Sequence, residues 1–320
     1  MNLLMAAGGL VLLVIAGDLL VRGAVALSLK IGVPALVVSL TIVAFGTSAP
    51  ELLIAIKAAL DNAPGIAYGN VVGSNIANVL LVIGVPALLA TIHTKSCDTR
   101  RSFTQMIVAS LVFIALCAMG PLGPIDGLIM LALLAGVLID AYRSAQAARV
   151  AGVEPEDELA ELEDADPDMP GLKVTVFLLI GLAGLPLGAN LLIEGARNIA
   201  VTLGVSDAVI GLTLVAVGTS LPELATTIMA TLRRQADVVL GNVIGSNLFN
   251  LLAIMGVASF FGPLPVPEGF LTYDLWVMLA TALILLPFVL RWLNVTRAWG
   301  VFFVFLYVGY IYHLVTNGGM

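Results

Sequence analysis

Displaced by 172 residues, this chain lies over itself. Gly23 meets Gly195, Gly46 meets Gly218, Glu51 meets Glu223, Gly69 meets Gly241, Ser74 meets Ser246, Asn78 meets Asn250 and Gly84 meets Gly256, with no gap between the pairs. Two stretches match best. GTSAPE at 46–51 lies over GTSLPE at 218–223, and GNVVGSNIAN at 69–78 over GNVIGSNLFN at 241–250, the latter identical at seven of ten positions. Self-similarity at a fixed period means that one structural unit is used twice.

The unit is a membrane one. Of 320 residues 60% are hydrophobic and 11% charged, and the mean hydropathy of +1.08 lies far outside soluble usage. A helix needs roughly 20 apolar residues to cross the hydrocarbon core. Ten such runs are expected, over about 3–22, 33–60, 66–91, 103–120, 125–143, 173–195, 205–232, 238–262, 273–290 and 299–316. The predicted fold is an all-α membrane protein of ten transmembrane helices. Five fall in each copy, and an odd number makes the second copy enter from the opposite side, so the repeats are predicted to be inverted. The first repeat is placed at 1–145 with its motifs in 41–84, a linker at 146–171, and the second repeat at 172–320 with its motifs in 213–256.

The first run has neither a charged leader nor a small-residue cleavage site, so it is expected to stay in the mature protein. Cys97 and Cys117 are too few and too scattered for a disulfide framework or metal site. Nine of the 21 acidic residues fall between Glu154 and Asp168. That segment lacks the spacing of a calcium-binding loop and reads as a solvated linker. With the N-terminus outside, Lys95, Arg100, Arg101, Arg143, Arg149, Lys173, Arg233, Arg234, Arg291 and Arg297 fall at cytoplasmic ends, joined by Arg22 and Lys30, and only Lys57 and Arg197 remain outside. This bias puts both termini outside and the acidic linker in the cytoplasm.

Runs 2 and 7 each carry a Pro followed by a Glu in mid-run. Pro50 and Pro222 cannot donate an N–H, so helices 2 and 7 are expected to be discontinuous with freed backbone carbonyls. Unwound backbone at membrane depth must line a cavity or be buried in protein. Carbonyls of Ala44, Thr47, Ala216 and Thr219, hydroxyls of Ser48 and Ser220, and the carboxylates of Glu51 and Glu223 make a set rich in oxygen and poor in nitrogen and sulfur. Hard cations want that set. Runs 3 and 8 add Ser74 with Asn78 and Ser246 with Asn250, each pair four residues apart on one helix face. Gly69, Gly73, Gly241 and Gly245 read instead as small residues that let helices approach closely. A carboxylate at the bilayer centre costs about 2.5 to 3.5 kcal/mol on insertion scales, so two at equivalent positions point to function.

Two facing carboxylates are neutralised by one Ca²⁺, by two or more Na⁺ or by two protons, whereas the empty site leaves like charges buried. A carrier that crosses only when loaded performs exchange, and inverted repeats supply alternating access. An acid-lined channel fits a fused inverted repeat less well, and an intramembrane aspartyl protease needs paired Asp where this chain has Glu. The chain is therefore read as a transporter and not an enzyme, with no cofactor, no nucleic-acid partner and no required oligomer.

The paired motifs resemble the α1 and α2 repeats of the cation/Ca²⁺ exchanger superfamily, in its branch of prokaryotic Na⁺/Ca²⁺ antiporters. That resemblance covers nearly the whole chain. It implies that Glu51 and Glu223 bind Ca²⁺ and share in Na⁺ binding, helped by carbonyls at Ala44, Thr47, Ala216 and Thr219 and by Ser48, Ser220, Ser74, Ser246, Asn78 and Asn250. It also implies Na⁺ influx driving Ca²⁺ efflux across a prokaryotic inner membrane. Some relatives, including K⁺-dependent exchangers, carry Asp where this chain has Asn250, which argues against K⁺ co-transport here. Proton-coupled members typically show a G-N-A-x-E pattern, which neither half has, so Na⁺ coupling is preferred. The alternative is an H⁺-coupled or broad-specificity divalent cation antiporter.

Overall fold

The computed structural model describes residues 2–33, 35–150, 169–202, 218 and 220–317. It is helical throughout these residues apart from short connections. Helix α1 (Asn2–Ile31) is followed by α2a, which runs through Ala35–Val38, a wide π turn at Ser39–Val43 and Ala44–Thr47, and then by α2b (Ala49–Leu60). Next come α3 (Pro64–Leu80, continued by Gly84–Leu89), α4 (Arg100–Met119), α5 (Pro124–Val150), α6 (Gly171–Thr202) and α7 (Leu221–Leu232). The chain then forms α8 (Ala236–Leu248, continued through Phe249–Ile254 to Ala258), α9 (Phe270–Val289) and α10 (Arg297–Asn317).

Eight helices among the described residues are long and apolar enough to cross a membrane, and the bent pair α2a–α2b brings the number to nine. The run expected at 205–232 falls partly outside the described residues, and only its last part, α7, is seen. α5 runs on to Val150, past the 145 expected for the end of the first repeat. The linker's acidic stretch from Glu154 to Asp168 also lies outside the described residues.

Burial sorts the helices. α8 is wholly buried over its apolar window and α3 is 78% buried, whereas α5 and α10 are only 17% and 22% buried. The polar motif helices therefore sit at the centre, and the outer ones present Leu128, Ile139, Phe305 and Tyr312 outward, as lipid requires. One apolar core joins α3, α4, α8 and α9, and a second, smaller one joins α1, α2a and α6. α1 and α6 press together along their length. A Cβ on Gly9 would meet the Leu192 nitrogen at 2.5 Å, and one on Gly195 the Ala6 nitrogen at 2.6 Å, so only glycine permits this approach.

Local features recur at the same 172-residue offset. α2b and α7 end alike. Asn62 and Arg234 take positive φ of 51° and 56°, while Ala63 N–H donates to Ala58 O and Gln235 N–H to Ala230 O, both at 2.8 Å, closing each helix with a Schellman turn. Ile92 pairs with Val295, and Leu264, its equivalent at the same offset, pairs with Leu122. The expected close approach at Gly245 is present, since a Cβ there would lie 2.6 Å from Leu40 O on α2a. A Cβ on Gly69 or Gly73 would meet no described atom within 4 Å outside its own stretch of helix. The equivalent of Leu40, Leu212, belongs to a stretch outside the described residues.

Candidate functional site

The break between α2a and α2b falls at Ser48, where φ and ψ of −86° and 4° leave the helix before Pro50 restarts it. The two pieces differ in direction by 52°. Ser220, with φ and ψ of −88° and 6°, stands in the same relation to α7 and Pro222. Pro at the second position of each new helix is tolerated because its missing N–H has no partner there. Each restarted helix carries its glutamate in the first turn, at the end favourable to negative charge.

The break at Ser48 meets the start of α7. Ser48 Oγ donates to Glu223 Oε1 at 3.3 Å across 175 residues of sequence. Glu51 and Glu223 are each 1% exposed. Thr47, Ser48, Ser74, Asn78, Ser220, Ser246 and Asn250 are buried as well. Ala216 and Thr219 lie outside the described residues. Ala44 differs from expectation. Its carbonyl accepts the Ser48 N–H at 3.1 Å and the Thr47 hydroxyl at 3.2 Å. The reason is positional, because the missing Pro50 N–H deprives the carbonyl four residues back, that of Gly46, and leaves the Ala44 bond in place.

Many oxygens of this set have nothing to bind. Glu51 Oε2, Glu223 Oε2, Asn78 Oδ1, Asn250 Oδ1, Ser220 Oγ and Ser246 Oγ are all buried without a hydrogen-bond partner. An unsatisfied buried polar atom costs about 1 to 3 kcal/mol and more when charged, so six together are untenable in a merely structural core. They come from α2b, α3, α7, α8 and Ser220, the residue before α7. Among the described residues no three His, Cys, Asp or Glu side chains cluster as a metal site. A hard cation that accepts neutral oxygens beside two carboxylates is the ligand this set can hold.

Four further asparagines, not singled out by motif chemistry, organise the site. Asn70 Nδ2 donates to the Glu51 carbonyl at 3.1 Å, and Asn242 Nδ2 to the Glu223 carbonyl at 3.5 Å and to Thr227 Oγ1 at 3.3 Å. These bonds fasten α3 to α2b and α8 to α7. Asn75 and Asn247 face one another between α3 and α8, each amide donating to the other's main-chain oxygen, at 3.3 and 3.4 Å. All four repeat at the 172-residue offset, which is the signal that could have found them.

Comparison with known proteins bears on this arrangement directly. The sodium/calcium exchanger protein family matches residues 1–142 and 173–316. The chain belongs to that family. The exchanger is 36% identical to CaxA of Alkalimonas amylolytica over 315 residues, 97% of each chain. It is 34% identical to the sodium/calcium exchanger MaX1 of Methanosarcina acetivorans over 340 residues, again 97% of each. Its fold matches a solved structure of the sodium-calcium exchanger NCX_Mj soaked with Na⁺ and Sr²⁺, with a TM-score of 0.79 at 33% identity and 97% of each chain covered. The family is one of transporters, not enzymes, and this exchanger is an integral membrane protein with prokaryotic relatives.

Proposed function

We propose that this exchanger moves Na⁺ and Ca²⁺ in opposite directions by alternating access, through one midplane site centred on Glu51 and Glu223. The observation that carries this reading is the set of six buried, unpartnered oxygens, two on the carboxyl groups of Glu51 and Glu223 and four on Asn78, Asn250, Ser220 and Ser246. Thr47, Ser48, Ser74 and the carbonyls of Ala44, Thr47, Ala216 and Thr219 complete the proposed ligand set, that of Ala44 exchanging its present hydrogen bonds for the ion. Flexible carbonyl and carboxylate cages suit Ca²⁺ over Mg²⁺, which keeps its waters and demands tight octahedral geometry. Two buried carboxylates without a cation are an uncompensated charge pair, which disfavours crossing when empty and makes transport an obligatory exchange.

The architecture behind the proposal is ten transmembrane helices in two inverted repeats, 1–145 and 172–320, joined by an acidic cytoplasmic linker at 146–171. The paired Schellman turns and paired bridges at one offset support it. Both termini are placed outside. The basis for this orientation is the excess of Lys and Arg at the ends assigned to the cytoplasm, and several of those ends lie against one another. Arg291 donates to Cys97 O at 2.8 Å, Arg101 pairs with Asp140, and Arg233 pairs with Asp18 at 2.5 Å.

The test is uptake of ⁴⁵Ca²⁺ into vesicles carrying the purified exchanger. An imposed Na⁺ gradient is expected to drive saturable uptake that a matched pH gradient does not. Uptake driven by the pH gradient alone would replace Na⁺ coupling with the proton-coupled alternative. Uptake without saturation or counterflow would point to a channel.

A further inference from the structure

We infer that Asn75 and Asn247 are positioning residues which force the amides of Asn250 and Asn78 to present oxygen, not nitrogen, to the transported cation; this rests on the midplane site proposed above. A primary amide is close to symmetric in shape but opposite in polarity at its two ends. Rotated by half a turn, it would point two N–H donors at a cation and repel it. Some neighbour must therefore choose the orientation of any asparagine that binds an ion.

The choice here runs across the halves. Asn250 Nδ2 donates to Asn75 Oδ1 at 2.9 Å, and Asn78 Nδ2 donates to Asn247 Oδ1 at 3.0 Å. With the nitrogens so engaged, Asn250 Oδ1 and Asn78 Oδ1 are the ends left without partners. The orienting amides are themselves fixed by groups that only accept. Asn75 Nδ2 lies 3.3 Å from Asn247 O and 3.8 Å from Met278 Sδ, and Asn247 Nδ2 lies 3.4 Å from Asn75 O and 3.7 Å from Met106 Sδ. Turning either amide over would set its oxygen against a carbonyl oxygen and a thioether sulfur. The polarity thus passes from a main-chain carbonyl through one amide to the next and ends as an oxygen facing the site. All four asparagines are at most 2% exposed, so no solvent competes. Met106 and Met278 stand at the same 172-residue offset as the asparagines they touch.

A carboxylate has oxygen at both ends and needs no orienting, and this supplies the test. Groups behind metal ligands typically contribute about 10- to 100-fold in affinity. Asn75→Ala should accordingly raise the Ca²⁺ concentration for half-maximal Na⁺-driven uptake by at least about tenfold. In an Asn250→Asp background, compared with that background alone, adding Asn75→Ala should shift it by less than about twofold, the mark of a coupled pair. Asn247→Ala with Asn78→Asp forms a second cycle with the same expectation, and it carries the test if one alanine variant fails to fold. Asn75→Asp keeps the acceptor for Asn250 but loses the donor to Asn247 O, so its affinity should exceed that of Asn75→Ala. Equal losses in the asparagine and aspartate backgrounds would reduce Asn75 to packing, and no loss in the wild-type background would mean that Asn250 is oriented otherwise. Either result overturns the inference while Glu51→Gln and Glu223→Gln remain inactive. Normal transport by both glutamine variants would instead remove the midplane site itself.

Discussion

The two halves agree at the centre and part company along the helices leading away from it. Asn70, Asn75, Asn78 and Glu51 have counterparts in Asn242, Asn247, Asn250 and Glu223, and the asparagines make matched hydrogen bonds, although Ser48 donates to Glu223 while Ser220 is without a partner. Along α2b and α7 the match loosens on the face that carries the glutamates. α7 continues with Thr227 and Thr231, four and eight residues past Glu223 and on its face, both buried. α2b has Ala55 and Ala59 at the equivalent places. Thr231 Oγ1 and Asn242 Oδ1 are also buried without partners. The site is symmetric because both halves share one ion, whereas the two approaches meet different surroundings and are free to diverge.

Breaking the symmetric part should have the largest effect. Glu51→Gln and Glu223→Gln keep size and one oxygen but remove a charge, and each should abolish Na⁺-driven ⁴⁵Ca²⁺ uptake while the protein still folds, since a buried acid is relieved. Equal loss from the two variants sharpens the symmetry. Normal uptake by one of them, expressed and folded equally, breaks it.

The asymmetric part should give a smaller effect on one side only. Thr231→Val removes a buried, unpartnered hydroxyl free to hydrogen-bond the passing hydrated ion, an interaction of about 0.6 kcal/mol for a typical intramembrane hydrogen bond, equivalent to about a threefold change in rate. In vesicles of known orientation, initial ⁴⁵Ca²⁺ flux through the Arg233 end of α7 should fall by that amount, and Ala59→Val on α2b should leave flux unchanged. Equal effects at the two positions would make the threonine stripe mere packing.

How much of this was legible in the sequence follows the range of the interactions. The breaks at Pro50 and Pro222, and the glutamates behind them, were readable because backbone chemistry and the cost of buried charge act locally. Ser74 and Asn78 were picked out by their four-residue spacing, yet Asn75, one residue along, proves equally placed for the site. Its partners are on α8 and α9, and no periodicity within one helix reports a contact between helices. The π turns at Ser39–Val43, where Ser39 Oγ donates to Val238 O on α8, and at Phe249–Ile254 were likewise invisible, since they have no residue signature of their own. Ala44 was read as freed by Pro50 because the break was legible but its register was not.

The most direct measurement is calorimetric Ca²⁺ binding to the purified wild type, to Glu51→Gln, to Glu223→Gln and to the double variant. If both carboxylates hold one ion, each single variant should lose binding as completely as the double, a grossly non-additive pattern. Losses that simply add, or a Glu223→Gln protein that binds Ca²⁺ as the wild type does, would contradict a shared site.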